Sequence, residues 1–438
     1  MGVNQINFIK EKKQWFEREE KTMEKTMEKT KLFQRDFTMV VIGQIISLFG
    51  NGILRFALPL YLLRETESSA LFGMVTACSF IPMVIFSFFG GVIADRVNKR
   101  NIMVTLDFST AGLIWIFYVV FQRLPLVPLM IVVLMVLYGI SGAYQPAVQA
   151  SIPLLAESEN LMQANAVINM VGTLSGLFGP VIGGILFGSF GIKPILALSI
   201  ICFLASAVME IFIHIPYKKT SYTKGAAAIV KEDLKESWCF VKDEKPAFIS
   251  VVCILALFNL VLSAALIVGI PIMIIQILGM SDMQLGVAQG AMGVGGLIGG
   301  MLASVVHEKI QIKDSWMLLT ACAVAALFMG MTLIPGMSKL FGFRVIAVMS
   351  FVIMAASTIF TVQILTLLQQ QTPPHLLGKI MAAIMAIANC AQPGGQALYG
   401  VLFDIFSEIP WVVMSGGAVG AFLISLYSKR VFQKLNND

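Results

Sequence analysis

The decapeptide Gly91-Val-Ile-Ala-Asp95-Arg96-Val-Asn-Lys99-Arg100 lies between two long apolar runs, about Ala70–Ile93 and Ile102–Phe121. A connection that short joins two membrane spans only as a tight hairpin. The remainder of the chain repeats the arrangement, with long apolar runs separated by short polar turns. Composition agrees: 57% of the 438 residues are hydrophobic, 13% are charged, and the mean hydropathy is +0.84. A soluble domain is about 25% charged. A span needs about 20 apolar residues, so this chain holds about twelve.

The apolar periodicity places spans near 37–62, 70–93, 102–121, 127–149, 161–188, 194–215, 248–278, 284–306, 316–334, 342–367, 379–403 and 410–427. The expected class is an all-α membrane protein of twelve helices in two six-helix halves. The predicted parts are a tail over 1–36, a half over 37–216, a central loop over 217–247, a half over 248–427 and a tail over 428–438. The first 36 residues are highly polar, so no cleavable signal peptide is expected. The central loop contains Asp233–Val241, which reads as a short amphipathic helix on the membrane surface. The near-repeat Lys21–Lys29, with alternating charge, reads as a solvated or interfacial helix.

Charge placement orients the spans. Of 31 Lys and Arg, twenty-five fall on the tails and on alternate loops, and five on the other side. That bias predicts both termini in the cytoplasm of a cytoplasmic membrane. The net charge of +6 then faces anionic lipid and needs no nucleic-acid partner.

Enzyme chemistry finds no support. The six cysteines are scattered without a C-x-x-C, and the three histidines lack metal-ligand spacing. There is no G-x-S-x-G, no Walker loop and no H-E-x-x-H. Neither a catalytic site, a metal nor a cofactor is expected, and an ATP-driven pump within the chain is disfavoured.

Polar residues inside spans are costly and mark candidate sites. Gln44, Asn51 and Arg55 recur at i, i+7 and i+11 in span 1, within about 40° of one another at 100° per residue. That face is expected to look into a wet cavity, although Arg55 lies far enough along the span to snorkel outward instead. Further cavity candidates are Gln145 and Gln149 (span 4), Asn259 (span 7), Gln289 (span 8), and Asn389, Gln392 and Gln396 (span 11). Asp107 and Glu210 are proton-site candidates, because burial disfavours a charged carboxylate. The plainer alternatives are pairing of Asp107 with Arg96, Lys99 or Arg100, and an interfacial Glu210.

Span 5 carries Gly172, Gly176, Gly179 and Gly183 on one stripe, followed by Gly184, with a kinking Pro180. Such a stripe permits backbone-to-backbone packing, and glycine-rich span 8 is the expected partner. The stretches Gln149–Pro153 and Gln370–Pro373 echo each other after spans 4 and 10, as a duplicated half would.

The decapeptide has the pattern G-x-x-x-D-R-x-x-K/R-R. It resembles the loop between helices 2 and 3 of major facilitator superfamily (MFS) transporters. The span 5 motif resembles the antiporter motif of MFS drug:proton exporters. The run from Phe37 to Tyr427 resembles the bacterial branch that includes macrolide-efflux and enterobactin-export types. The residues carrying that likeness are Phe56-Ala-Leu-Pro-Leu-Tyr61, Gln145-Pro-Ala-Val-Gln-Ala-Ser-Ile-Pro-Leu-Leu155, Gly179-Pro180 and Pro373-Pro-His-Leu-Leu-Gly-Lys379. The resemblance implies that Gly91, Asp95, Arg96, Lys99 and Arg100 form a conformational latch, the acid docking near Leu377–Lys379. It implies a monomer that exports amphiphilic small molecules by alternating access, exchanging them for protons across a lipid bilayer. Departures exist: Asn98 stands where a small Gly is common, and span 4 lacks the Arg of many proton-coupled exporters. A siderophore exporter, a lipid or lysolipid flippase, and a non-transporting membrane sensor are the alternatives.

Overall fold

A computed structural model describes residues 34–157, 160–216, 241–242, 245–309, 311–373 and 376–435. The charged tail repeat and most of the central loop, including the amphipathic segment to Phe240, lie outside these. Twelve long helices follow one another: α1 (Arg35–Thr66), α2 (Ser69–Arg96), α3 (Lys99–Val120), α4 (Leu126–Leu155), α5 (Leu161–Phe190), α6 (Ile192–Ile211), α7 (Ala247–Ile277), α8 (Asp282–Lys309), α9 (Trp316–Met331), α10 (Lys339–Gln370), α11 (Leu377–Ile405) and α12 (Trp411–Leu435). Eleven are long and apolar enough to cross a membrane; α11, with Asn389, Gln392 and Gln396, is the twelfth long helix. Counting α11 as a crossing, Arg35 and Leu435 lie at the same end of the bundle, called here the terminal end.

Local chemistry sets the helix boundaries. Ser68 accepts from the Leu71 amide at 3.2 Å and caps α2. Asn98 caps α3 by accepting from the Arg100 amide at 3.0 Å. The residue that departs from the usual loop pattern is therefore the one that starts the next helix. A single residue, Gly191, joins α5 to α6 at φ +72° and ψ −166°, a conformation open essentially to glycine. Several helices overrun the apolar runs: α4 continues to Leu155 and α10 to Gln370, because polar ends can project past the hydrocarbon. Helix α7 departs from regular α geometry, with π turns at Asn259–Ser263, Ala265–Gly269 and Ile272–Ile277. Such turns cluster at functional sites.

In the first six helices α2 packs on α4, α1 on α5 and α6, and α3 on α6. In the second six, α8 packs on α10, α9 on α12, and α11 on α7. Two pairs cross between the sets, α2 with α11 and α5 with α8. Large apolar side chains such as Trp115, Phe190, Ile201 and Leu423 remain exposed, as a lipid-facing surface requires.

Candidate functional site

The crossing pairs meet through glycines at the end away from the termini. A Cβ on Gly184 of α5 would stand 2.6 Å from the Asp282 carbonyl oxygen of α8, and one on Gly286 would stand 2.7 Å from the Pro180 oxygen. A Cβ on Gly73 of α2 would stand 2.5 Å from the Gln396 oxygen, and one on Gly400 2.6 Å from the Ser69 oxygen. Backbone meets backbone there. Nearer the terminal end Gly172 and Gly176 of α5, Gly91 of α2 and Gly378 of α11 have no described atom within 4 Å of a Cβ position. The two sets of helices therefore close at one end and part towards the other.

Polar contacts lock the closed end. Arg64 at the end of α1 pairs with Asp282 at the start of α8, its Nε and Nη2 reaching Oδ1 at 2.8 and 2.7 Å. Asp404 at the end of α11 accepts from the Ser69 amide (2.8 Å), the Ala70 amide (3.1 Å) and Ser68 Oγ (3.0 Å). A carboxylate from the second set thus caps the start of α2 in the first, where the helix dipole favours negative charge. Ser69 Oγ donates to Gln276 Oε1 of α7 at 2.6 Å.

Beneath this seal lies a cavity of about 430 Å³. Both sets of helices line it: Arg55, Phe56, Tyr138 and Leu177 from the first, Leu266, Gln289, Met292 and Met354 from the second. A second lobe of about 310 Å³ shares Arg55 and Gln289 and adds Asn51 and Ser175. The lining is mainly apolar, which suits an amphiphilic molecule with few fixed polar contacts. Arg55 does not snorkel. Its guanidinium lies 3.9 Å from the centre of the Tyr138 ring, a cation–π contact, and Nη2 donates to Met83 Sδ at 3.7 Å.

The candidates thus divide. Asn51, Arg55 and Gln289 line the cavity. Gln44 does not: it is fully buried, donating to the Tyr144 hydroxyl at 2.6 Å. It shares a helix face with Asn51 and Arg55, but α1 changes neighbours along its length, and Gln44 meets α4 and α6 instead of the cavity. Gln145 and Gln149 line neither lobe, and Gln149 is exposed. Asn259 is spent within the second set, donating to the Ala388 oxygen at 3.2 Å and to Asn389 Oδ1 at 3.5 Å. Gln392 and Gln396 are buried, the latter where α11 meets α2.

Asp107 and Glu210 also differ from their plainer readings. Asp107 is 2% exposed and accepts from Ser47 Oγ at 3.0 Å. Arg100 instead donates to the Ile213 oxygen at 3.5 Å. Glu210 is fully buried and accepts from the Tyr144 hydroxyl at 2.6 Å.

The glycine stripe of α5 faces two ways. Gly179 and Gly183 pack on Gly52 and Phe56 of α1, whereas Gly184, with Pro180 and Leu177, carries the contact to α8. Helix α8 likewise shows Gly286, Gly290 and Gly293 to α5, and Gly295 and Gly299 to α10.

The sequence pattern of the Major Facilitator Superfamily matches residues 40–393. The chain belongs to that superfamily. It is 24% identical over 385 residues to macrolide efflux protein A of Streptococcus pyogenes, covering 87% of this chain and 92% of that one. It is 30% identical over 158 residues to enterobactin exporter EntS of Salmonella choleraesuis, 36% of this chain and 38% of that one. The solved structure of nucleoside transporter NupG superposes with a TM-score of 0.72 at 13% identity, covering 91% of this chain and all of that one. This MFS chain is a multi-pass membrane transporter with homology to efflux proteins.

Sequence reasoning missed several residues of this transporter's interior. Arg64, Asp282 and Asp404 sit at span ends, where charges are ordinary. Tyr138, Ser141 and Tyr144 recur every third residue on α4, a helical spacing that was visible but had no partner until α1 was placed against it.

Proposed function

We propose that this chain exports amphiphilic small molecules, macrolide-like drugs among them, by alternating access coupled to proton entry. The observation that carries this reading is the mainly apolar cavity between the two helix sets, sealed at one end and holding the guanidinium of Arg55. The names of the two efflux relatives support it. The charge bias supports a terminal end in the cytoplasm, and the bacterial relatives support a bacterial plasma membrane. On this reading the seal at Arg64–Asp282 and Asp404 closes the outside, and the protein loads from the cytoplasm or inner leaflet. The chain acts as a monomer of two six-helix halves, over 37–216 and 248–427, that rock about the cavity.

The α2–α3 turn serves as the latch of the opposite state. Gly91, Asp95, Arg96, Lys99 and Arg100 dock against the start of α11 when the halves close at the cytoplasmic end. An Asn at Asp95 then weakens that state and slows turnover. A second reading, export of a siderophore, is favoured by Arg55, because a cation stacked on an aromatic ring suits an acidic or catecholate ligand.

The test is accumulation of erythromycin and of ethidium in cells expressing the wild type, Arg55→Ala or Asp95→Asn, each with and without a protonophore. Lower accumulation in wild-type cells, abolished by the protonophore, supports drug export. Equal accumulation with and without the protein overturns the drug reading and leaves the siderophore reading to be tested with a catecholate.

A further inference from the structure

Helices α1 and α4 face each other through three polar rungs. At the cavity Arg55 lies over Tyr138. One turn deeper, Asn51 Nδ2 donates to Ser141 Oγ at 2.8 Å. Deeper still, Gln44 Nε2 donates to the Tyr144 hydroxyl, which in turn donates to Glu210 Oε1, both at 2.6 Å. Ser47, between the last two rungs on α1, donates to Asp107 Oδ1 at 3.0 Å. The cavity reaches Leu48 and Asn51, within one turn of Ser47. Polar side chains thus recur turn by turn along α1 from the cavity to two buried carboxylates.

Among the described residues that carboxylate pair has no counter-ion. Asp107 Oδ2, Glu210 Oε2 and Gln44 Oε1 are buried without hydrogen-bond partners. Helix α4 contributes Tyr144 to the pair; α1 contributes Gln44 and Ser47; α6 contributes Ser206, which donates to the Gly43 oxygen at 3.1 Å. Other titratable groups at that end of the first half have partners of their own. Arg100 reaches the Ile213 oxygen, Asp36 accepts from the His214 amide, and Cys202 lies against Gly50. Each carboxylate thus keeps one buried oxygen free to take a proton, in a pocket with no described base to offset two charges.

The fold does not demand acids here. Helices α9 and α12 pack together in the second half as α3 and α6 do in the first. Between them Thr320 Oγ1 and Ser425 Oγ lie 2.6 Å apart, a pair of neutral hydroxyls.

We propose that Asp107, held by Ser47, and Glu210, held by Tyr144 and Gln44, are the site that carries the coupling proton, and that the α1–α4 ladder links its occupancy to Arg55 in the cavity. The proposal rests on the exporter reading and names where its proton resides. The step is a proton transfer alone. A proton from water on the outer side adds to one carboxylate oxygen, and the same O–H later breaks to release it to cytoplasmic water. Gln44, Ser47, Asn51 and Arg55 share one helix, so a tilt of α1 that reshapes the cavity also moves the groups bonded to both acids.

Two measurements on the full-length chain test this. The first is pH-difference infrared spectroscopy of purified wild type, Asp107→Asn, Glu210→Gln and Tyr144→Phe, reading the carbonyl stretch of protonated carboxylic acids. The expected result is a band that titrates in wild type, is lost in either acid variant and shifts in Tyr144→Phe, which keeps the shape of the site. Identical spectra in all four proteins overturn the proposal. The second is uptake of ethidium and erythromycin by everted vesicles. Glu210→Gln is expected to lose uptake driven by a pH gradient while still equilibrating both compounds down a concentration gradient. Undiminished gradient-driven uptake in that variant overturns the proposal and leaves the exporter reading standing. Uptake of neither compound by wild type overturns the exporter reading instead, and the infrared band then decides on the pair.

Discussion

Arg64 and Asp282, 218 residues apart along the chain, form an ion pair between the last turn of α1 and the first turn of α8. It spans the two halves at their closed end, so it must break whenever that end opens. The Arg64 side chain is 40% exposed, so solvent screens the pair and it is worth only about 0.2–1 kcal/mol. That is enough to shift the balance between two conformers and too little to hold the fold. Arg64→Ala and Asp282→Ala are therefore expected to fold normally and to populate more the state open at that end. The check is the distance between spin labels at Glu67 and Ser281 in a background with the native cysteines replaced. The Arg64→Asp, Asp282→Arg double variant is expected to restore the wild-type distance distribution.

Asp404 binds three donors at the start of α2. Loss of a helix cap costs about 1 kcal/mol, here charged entirely to the closed conformer. Asp404→Ala is expected to lengthen the same label distance, and Asp404→Asn to lengthen it less, because its amide oxygen still accepts from the backbone.

Gly286 and Gly400 admit no side chain in the sealed state, since the nearest atoms to an added Cβ are backbone oxygens at 2.7 and 2.6 Å. Gly286→Ala is expected to disfavour the seal by about 1–3 kcal/mol, the usual cost of overpacking. Gly172→Ala and Gly176→Ala meet open space and are expected to leave the label distances unchanged. A larger shift from Gly176→Ala than from Gly286→Ala would contradict the described seam.

Arg55 offers the cavity both a charge and a plane stacked on Tyr138. Arg55→Lys keeps only the charge. If the stack orients the ligand, Arg55→Lys and Tyr138→Leu weaken binding together, and their effects do not add. Erythromycin binding to the purified variants by tryptophan fluorescence provides the double-mutant cycle.

Twelve spans, the glycine-rich faces of α5 and α8, and the polar face of α1 were legible because each depends on one helix and its periodicity. Asn51 and Arg55 could be placed on a common face by counting. What faced them could not. Gln44 belongs to that same face yet ends inside the first half, because its neighbours are set by the packing of α4 and α6. Asp107 and Glu210 lie 103 residues apart in number, and only Tyr144 and Ser47 bring them into one network. Arg64, Asp282 and Asp404 looked like loop charges because the approach of the end of α1 to α8 and the crossing of α2 with α11 are tertiary facts. The π turns of α7 leave no mark on apolar periodicity, since almost every residue there is hydrophobic.

The central claim is that this transporter moves an amphiphilic compound outward through the Arg55 cavity at the expense of a proton gradient. Everted membrane vesicles containing the protein, given an acid interior and radiolabelled erythromycin, test it most directly. The account predicts uptake that exceeds the level in vesicles lacking the protein, collapses on addition of a protonophore, and is lost in Arg55→Ala. Uptake equal to that of vesicles lacking the protein, or uptake indifferent to both the protonophore and Arg55→Ala, would contradict it.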